Sequence, residues 1–303
     1  MDTRVKVMTD FDLNAWSGER LERVEQALMR WVGVDAPAGL GEAMRYSVLD
    51  GGKRLRPLLV LAASEAVGGN TQAALRAACA VELIHAYSLV HDDMPCMDND
   101  VLRRGKPTVH VKYGEAGALL AGDALQALAF ELLTPEHDGV PEVMQARLCR
   151  LLAHAAGSAG MAGGQAIDLA SVGIKLNEDQ LRHMHRLKTG ALLQGSVLMG
   201  ATCGEVTRTE RAALADYGAA IGLAFQVVDD ILDVTADSAT LGKTAGKDAE
   251  QDKPTYVSIL GLERSRVYAQ ELLRQALAAL DASGLAGTRA LRALADMVVN
   301  RAS

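Results

Sequence analysis

The chain has 303 residues, of which 49% are hydrophobic, and it carries a formal net charge of −7. This length and composition can form one large hydrophobic core, and they exclude the collagen-like and disordered classes. The acidic balance argues against a nucleic-acid-binding surface, so any anionic ligand must be held by local basic residues. Because no Pro/Ser/Gly linker or run of like charges divides the chain, we expect one domain over residues 1–303.

Apolar residues recur at helical spacing along almost the whole chain. The predicted helices are Leu13–Trp31, Leu40–Leu49, Arg56–Val67, Thr71–Asp93, Glu115–Leu133, Val140–Gly157, Gly163–Val172, Glu178–Cys203, Arg208–Val234, Glu263–Asp281 and Ala286–Arg301. No segment shows a convincing alternating strand pattern, and glycine-rich stretches fall between the helices. The predicted fold class is therefore all-α.

Three predicted helices, among them Glu115–Leu133, are rich in Ala and Leu and lack a broad polar face. Such a helix lies in the centre of a bundle or at a subunit interface. The small residues of Glu115–Leu133 make it a candidate dimer interface, with packing inside one chain as an equal alternative. Because Gly122, Asp123 and Gln126 interrupt its apolar run, we expect no segment that spans a bilayer.

The cysteines and the first residues bear on location. Cys79, Cys96, Cys149 and Cys203 show neither paired spacing nor the histidine pattern of a zinc site, so we expect reduced, mostly buried thiols. Residues 1–12 mix charges early and lack an apolar signal core. Together these features predict a soluble, cytoplasmic protein.

Two acidic clusters lie far apart in the chain, each in or after an apolar helix. They are Asp92-Asp93-x4-Asp98-x-Asp100 and Asp229-Asp230-x-x-Asp233. Adjacent acids at a helix end are ordinarily a solvated surface feature. Asp229 and Asp233, however, share one face of an apolar helix at i and i+4. Clustered carboxylates need a compensating cation, and Mg²⁺ prefers oxygen ligands, so the clusters predict one shared magnesium site.

Pro95 lies inside the first cluster. Asp92 and Asp98 are six residues apart, which on a straight helix would place them about 240° apart. Proline cannot donate the helical hydrogen bond. We therefore expect the helix to distort or end near Pro95, so that Asp98 returns to the side of Asp92.

Basic residues are grouped at points where helices begin or are interrupted. The stretch Gly51-Gly52-Lys53-Arg54-Leu55-Arg56-Pro57 combines glycine freedom, clustered cations and a helix start, which favours phosphate binding over the alternative of a solvated loop. Arg103-Arg104-Gly105 follows the first acidic cluster, and Lys188-Thr189-Gly190 interrupts an apolar helix. Residues 237–253 are small, polar and lysine-bearing, and we interpret them as a mobile lid, with an ordinary surface loop as the alternative.

Taken in order, these motifs resemble those of the trans-prenyltransferases, the head-to-tail isoprenyl diphosphate synthases, over essentially the whole chain. The spacer Met94-Pro95-Cys96-Met97, preceded by His85-Ala86-Tyr87-Ser88, is similar to that of bacterial farnesyl diphosphate synthases. The resemblance implies an all-α isoprenoid-synthase bundle with a deep central cavity and a homodimer. It also implies magnesium-dependent condensation of dimethylallyl and then geranyl diphosphate with isopentenyl diphosphate, which gives (2E,6E)-farnesyl diphosphate.

The same resemblance implies roles for individual residues. The magnesium ligands would be Asp92, Asp98 and Asp229, around three ions that manganese could replace. Isopentenyl diphosphate would be held by Lys53, Arg56, His85 and Arg104. The allylic diphosphate would be held by Arg103, Lys188, Thr189, Gln226, Lys243 and Lys253, and the first four of these would also serve catalysis. Chain length would be set by Tyr87 and Ser88.

Tyr87 and Ser88 precede Asp92 by five and four residues, so they lie roughly 6–8 Å below the metal site. A chain anchored at Asp92 and growing along this helix would meet Tyr87 as a floor. The alternative is a core tyrosine whose hydroxyl is hydrogen-bonded. Rival functions are a geranylgeranyl diphosphate synthase, a non-catalytic partner subunit and, less favoured, a terpene cyclase; the intact acidic motifs argue against the last two.

Overall fold

The computed structural model describes residues 11–49, 51–235 and 255–301. Nearly every ordered segment in these ranges is helical, which confirms the predicted all-α class. The helices are α1 (Leu13–Trp31), α2 (Leu40–Val48), α3 (Leu55–Ala66), α4 (Thr71–Asp92), α5 (Val109–Leu133), α6 (Glu142–Ala156), α7 (Met161–Ala170), α8 (Glu178–His185), α9 (Ala191–Thr202), α10 (Arg208–Thr235), α11 (Tyr256–Leu260), α12 (Leu262–Ser283) and α13 (Arg289–Asn300). A 3₁₀ turn at Pro37–Gly39 and a hairpin of the short strands β1 (Leu102–Arg103) and β2 (Lys106–Pro107) lie between helices.

All the predicted helices are present; α5 begins six residues before its predicted start, and the other outer ends are displaced by at most three residues. The helix predicted at Glu178–Cys203 is divided, because the π-helical turn Arg186–Gly190 separates α8 from α9. Helix α5 begins at Val109 and bends at Gly114, where φ is 80°. The sequence pattern does not predict α11 or the β1–β2 hairpin, since each is too short to show a period.

The hydrophobic core consists of two clusters that share α3 and α9. Leu61 of α3 and Met199 of α9 belong to the first cluster, which also takes residues from α4 and α5. Leu59 and Val197 belong to the second, with residues of α10, α12 and α13. A helix that is apolar on opposite sides lies between two layers. The acid-bearing helices α4 and α10 are thus packed into one connected core, while one domain over residues 1–303 stays a prediction.

Helix α5 packs along α4 and leaves apolar residues exposed elsewhere. Ala118 and Ala121 are fully buried, whereas Leu120 is 56% exposed. By length and composition alone, Thr71–Asp92 and Glu115–Leu133 are both apolar enough to cross a membrane. The polar residues of Glu115–Leu133 therefore do not by themselves exclude such a segment, and the expectation of no segment that spans a bilayer stays a prediction. The most apolar part of Thr71–Asp92 is 67% buried, as in a core helix, while that of Glu115–Leu133 is 39% buried.

The four cysteines are free thiols in different environments. Cys79 and Cys203 are buried, Cys149 is half-buried and Cys96 is exposed. Burial raises the pKa of Cys203 to about 12, which makes its thiol inert at neutral pH. The expectation of mostly buried thiols does not extend to Cys96, which lies with Pro95 in an exposed turn after α4.

Candidate active site

The first acidic cluster lies where α4 ends. The backbone N–H of Asp98 donates a hydrogen bond to the carbonyl oxygen of Asp92 at 2.8 Å, and that of Asn99 donates to Met94 at 3.1 Å. The chain therefore turns back on itself across Pro95. This confirms the prediction that the helix ends there and that Asp98 lies beside Asp92.

Asp92 is half-buried and lines a cavity below the end of α4. Its pKa is raised to about 6, chiefly by burial and further by the Asp98 and Asp93 carboxylates, while Lys188 and Arg103 act in the opposite direction. The ionised carboxylate is thus only partly compensated by the protein. A divalent cation would compensate it, which is the behaviour expected of a metal ligand.

Asp93, the next residue, has a different environment. It is 2% exposed, and both of its oxygens accept hydrogen bonds from Nε and Nη2 of Arg103 at 2.6–3.1 Å. This bidentate pair orients the guanidinium, whose side chain remains 36% exposed. Binding of the allylic diphosphate by Arg103 stays a prediction, and the structure adds that Asp93 positions it.

The cations of the glycine-lysine motif divide into two groups. Arg54 is 5% exposed; its Nε and Nη1 donate to Glu25 and Glu82, each at 2.7 Å. Arg54 thereby connects the start of α3 to α1 and α4, and its guanidinium is paired inside the fold. Lys53 is exposed, and its pKa is lowered by partial burial of its ammonium group and by Arg301, against the effect of Asp229.

Arg104, at the turn of the β1–β2 hairpin, lies on the backbone of the glycine pair. Its Nη1 donates to the carbonyl oxygen of Gly51. A Cβ built on Gly52, where φ is 127°, would lie 2.7 Å from Nη2 of Arg104. The backbone angle at position 52 therefore favours glycine, and the missing side chain leaves room for the Arg104 guanidinium. Two basic motifs that are distant in sequence are brought together here, as the predicted isopentenyl diphosphate site requires.

Arg56 and His85 complete that predicted set. Both are half-buried and line the same cavity. The pKa of His85 is held well below its usual value by burial and then by Arg56, Arg104, Arg103 and Arg54. The imidazole is therefore neutral among arginines, and the buried Nε atom of Arg56 has no hydrogen-bond partner. Such a surplus of positive charge suits a diphosphate.

A cavity of about 390 Å³ extends from these groups past Asp92. Tyr87 and Ser88 of α4 line it, together with apolar residues of α7. The Ser88 hydroxyl donates to the carbonyl oxygen of His85 at 2.8 Å, so it presents little free polarity to the cavity. The structure thus contains a largely apolar pocket directly below the acidic cluster, where a prenyl chain is expected.

The π-helical turn carries Lys188 and Thr189. Nζ of Lys188 donates to Oδ2 of Asp168 at 2.5 Å, and Oγ1 of Thr189 donates to Oε1 of Gln226 at 3.0 Å. A Cβ built on Gly164 of α7 would lie 2.1 Å from the backbone nitrogen of Lys188, so glycine permits this close approach. π-helical turns are frequent at functional sites, and this one directs Lys188 and Thr189 to the cavity.

The second acidic cluster lies on a continuous stretch of α10. Asp230 is 2% exposed and accepts hydrogen bonds from Nε2 of Gln226 at 2.8 Å and from the backbone of Tyr256 at 2.7 Å. Asp233 is buried as well. Asp229 is half-buried and accepts from Nη2 of Arg301 at 3.2 Å. Asp229 is thus the least buried of the three acids, and it contacts the guanidinium of Arg301.

Sequence reasoning missed two charged residues of the site. Asp168 is 7% exposed. The sequence could have indicated it, because a single acid in an apolar helix is costly unless it is paired. No sequence pattern indicates Arg301, since only the fold brings the end of α13 to Asp229. The guanidinium of Arg301 also lies 4.1 Å from the ring centroid of Phe225. Burial lowers the pKa of Arg301, and Asp229 opposes this shift.

Within residues 11–49, 51–235 and 255–301, no three acidic, histidine or cysteine side chains are grouped closely enough to hold a metal ion by themselves. The donors do fit magnesium that is shared with a substrate, because this ion takes one or two carboxylates and completes its shell with phosphate oxygens and water. Asp92, Asp98 and Asp229 stay predicted ligands. Lys243, Lys253 and the predicted lid lie outside the described residues.

The chain is similar to known proteins over most of its length. A family model described as polyprenyl synthetase matches residues 37–289. A probable farnesyl diphosphate synthase of Bradyrhizobium diazoefficiens is 51% identical over 86% of this chain and 80% of its own. An Arabidopsis thaliana protein named heterodimeric geranylgeranyl pyrophosphate synthase large subunit 1, chloroplastic, is 50% identical over 88% of this chain and 74% of its own.

Solved structures show the same arrangement of helices. The crystal structure of a geranyltransferase from Helicobacter pylori, complexed with magnesium and isoprenyl diphosphate, has a TM-score of 0.82 and 36% identity, and the match covers 97% of this chain and 98% of that one. The predicted type of helical bundle is thereby confirmed.

Proposed function

The chain is a prenyltransferase that belongs to the polyprenyl synthetase family, and from this premise we propose that its product is (2E,6E)-farnesyl diphosphate. It would condense isopentenyl diphosphate first with dimethylallyl and then with geranyl diphosphate, with magnesium. The observation that carries the choice of product is the position of Tyr87, which lines the cavity one and a half helical turns below Asp92.

The charged residues of the candidate site fit the departure of an allylic diphosphate. Bound magnesium would neutralise the diphosphate as it leaves. Arg103 and Lys188, held by Asp93 and Asp168, place positive charge where that negative charge develops. Their carboxylate partners fix both cations in advance, so little reorganisation is needed at the moment of reaction.

The allylic cation would need protection from water and nearby dipoles. The hydroxyl oxygen of Thr189 lies at the cavity wall, and its hydrogen is donated to Gln226. Gln226 is oriented in turn by donating to Asp230. The oxygen of Thr189 therefore keeps its lone pairs for the cation. His85 is neutral but surrounded by arginines that disfavour its protonation, so the released diphosphate is the better acceptor for the proton lost after condensation.

Tyr87 is placed to stop elongation. It is half-buried, and burial raises the pKa of its phenol, so it stays neutral. Its ring contacts that of His91 edge to face, with the centroids 5.7 Å apart. An aromatic ring held in this way is a firm boundary, and removal of its bulk would join new space to the cavity.

The test is product analysis at matched concentrations of isopentenyl and dimethylallyl diphosphates with magnesium. The unmodified chain is expected to make the fifteen-carbon product, and Tyr87→Ala to extend it by at least one five-carbon unit. Tyr87→Phe is the matched control, because it keeps the ring and should keep the product. An unchanged product from a folded, active Tyr87→Ala variant would place the stop elsewhere.

The second candidate is a geranylgeranyl diphosphate synthase, which the name of the Arabidopsis relative favours. A twenty-carbon product from the unmodified chain would select it. The apolar exposure of Leu119 and Leu120, 47% and 56%, supports the further proposal of a homodimer through α5. A cytoplasmic location is proposed from the sequence alone.

A further inference from the structure

Below Asp92, α4 and α5 face each other through two residues from each helix. Tyr87 and His91 are four residues apart on α4, and Gly122 and Gln126 are four apart on α5, so each pair shares one helix face. His91 lies against Gly122, and Tyr87 interacts with Gln126. The two helices are therefore antiparallel here, with His91 opposite Gly122 and Tyr87 opposite Gln126.

His91 is seated directly on the backbone of α5. Its Nε2 lies 3.1 Å from the carbonyl oxygen of Leu119. A Cβ built on Gly122 would lie 2.0 Å from the same nitrogen and 2.5 Å from Cδ2. The imidazole thus occupies the space that any side chain at position 122 would fill. A hydrogen bond from Nε2–H to Leu119 fixes the orientation of the ring.

His91 in turn supports Tyr87. The planes of the two rings are inclined at 76°, the edge-to-face geometry that aromatic groups favour. Both residues line the cavity that contains Asp92. Any displacement of the imidazole therefore changes both the wall of the cavity and the position of the tyrosine below it.

We propose that His91 and Gly122 are positioning residues for product length, because His91 seated on Gly122 sets how far Tyr87 closes the cavity. The proposal rests on the proposed function, since it concerns the same cavity. Loss of the imidazole lets the Tyr87 ring move into the vacated space and deepens the cavity. A methyl group at position 122 pushes the imidazole off α5 and makes the cavity shallower. The two changes act in opposite directions.

The measurement is the distribution of product lengths at fixed magnesium and matched substrate concentrations. His91→Ala is expected to move the principal product up by one five-carbon unit. Gly122→Ala is expected to increase the ten-carbon share at the expense of longer products. Gly117→Ala is the matched control in the same helix, because its Cβ would lie 3.3 Å from Cβ of Tyr113 and would not touch His91; its products should be unchanged.

The double variant His91→Ala, Gly122→Ala identifies the imidazole as the link. With the ring absent, the methyl group at position 122 meets nothing that it can push, so the double variant should give the longer products of His91→Ala. A ten-carbon share as large as that of Gly122→Ala would overturn the proposal, as would unchanged products from folded His91→Ala.

His91→Phe keeps the test decisive if Gly122→Ala does not fold, as judged by circular dichroism. It retains a ring against Tyr87 and should make shorter products than His91→Ala; equal products from the two variants would overturn the proposal. Absence of any condensation by the unmodified chain would instead refute the proposed function. The product lengths of the variants test only the roles of His91 and Gly122.

Discussion

The two acidic motifs look alike in sequence, and in each the structure uses adjacent aspartates differently. In the first, Asp92 is half-buried at the cavity, while Asp93 is 2% exposed and bound to Arg103. In the second, Asp229 is half-buried beside Arg301, while Asp230 is 2% exposed. In each pair one acid is half-buried, and the other is buried and holds neighbouring groups of the site in place.

The buried acid of each motif holds different parts of the structure together. Asp93 is neutralised by a guanidinium, after the chain has left the helix. Asp230 remains inside α10 and accepts from an amide of Gln226 and a backbone N–H of Tyr256, so it links α10 to α11. Adjacent aspartates are therefore not equivalent; burial decides which one can meet a ligand.

The strongest test of this division is loss of the half-buried acid of either motif. Asp92→Ala and Asp229→Ala should each reduce turnover by about 10²-fold or more, because metal and electrostatic stabilisation of the leaving group is removed. Steady-state condensation assays with magnesium measure this, and circular dichroism checks the fold. Glu263→Ala, on a side chain that is 82% exposed, is the control. Near-normal turnover of either variant would contradict a shared site.

A smaller effect, on stability, should distinguish Asp230 from Asp229. Asp230→Ala leaves the buried N–H of Tyr256 and the amide of Gln226 without their partner, which should lower the free energy of unfolding by about 2 kcal/mol or more. Asp229→Ala should cost much less, because its carboxylate is partly exposed. Urea unfolding of both variants measures these changes in the free energy of unfolding. Equal losses of stability would show that the two acids share one structural role.

The third test concerns His185, the last residue of α8, whose ring centroid lies 5.7 Å from that of Tyr256, the residue bound to Asp230. It is 7% exposed and neither ring nitrogen has a hydrogen-bond partner. Burial lowers its pKa to about 4, from an ordinary value of 6.5, although Asp168 and Asp229 raise it. The unfolded chain therefore binds the proton first, and stability is lost as the pH falls from 6.5 towards 4, on the order of 2 kcal/mol near pH 5.

His185→Leu should remove that loss, so the fall in unfolding free energy between pH 7 and pH 5 should be smaller than in the unmodified chain by about 2 kcal/mol. His137→Leu, on a side chain that is 90% exposed, should leave the fall unchanged. An identical pH dependence in His185→Leu and the unmodified chain would show that acid sensitivity arises elsewhere.

Local sequence was sufficient for much of this protein. Helix positions follow from apolar periodicity, and the return of Asp98 to Asp92 follows from Pro95, because both depend on residues a few positions apart. The break at Lys188 was visible as a polar interruption in an apolar helix, although its π-helical form was not. The predicted lid and its two lysines lie outside the described residues, so they stay predictions.

Tertiary structure alone decided which charged groups are paired in the core of the fold. Arg54 belongs to the same sequence motif as Lys53 and Arg56, yet it forms ion pairs with Glu25 and Glu82 in the core. Likewise Asp168 reaches Lys188 from α7, and His91 finds its place only because Gly122 comes from another helix. These contacts join residues distant in the chain, and desolvation and pairing, which set the charge of a buried group, depend on such contacts and not on local spacing.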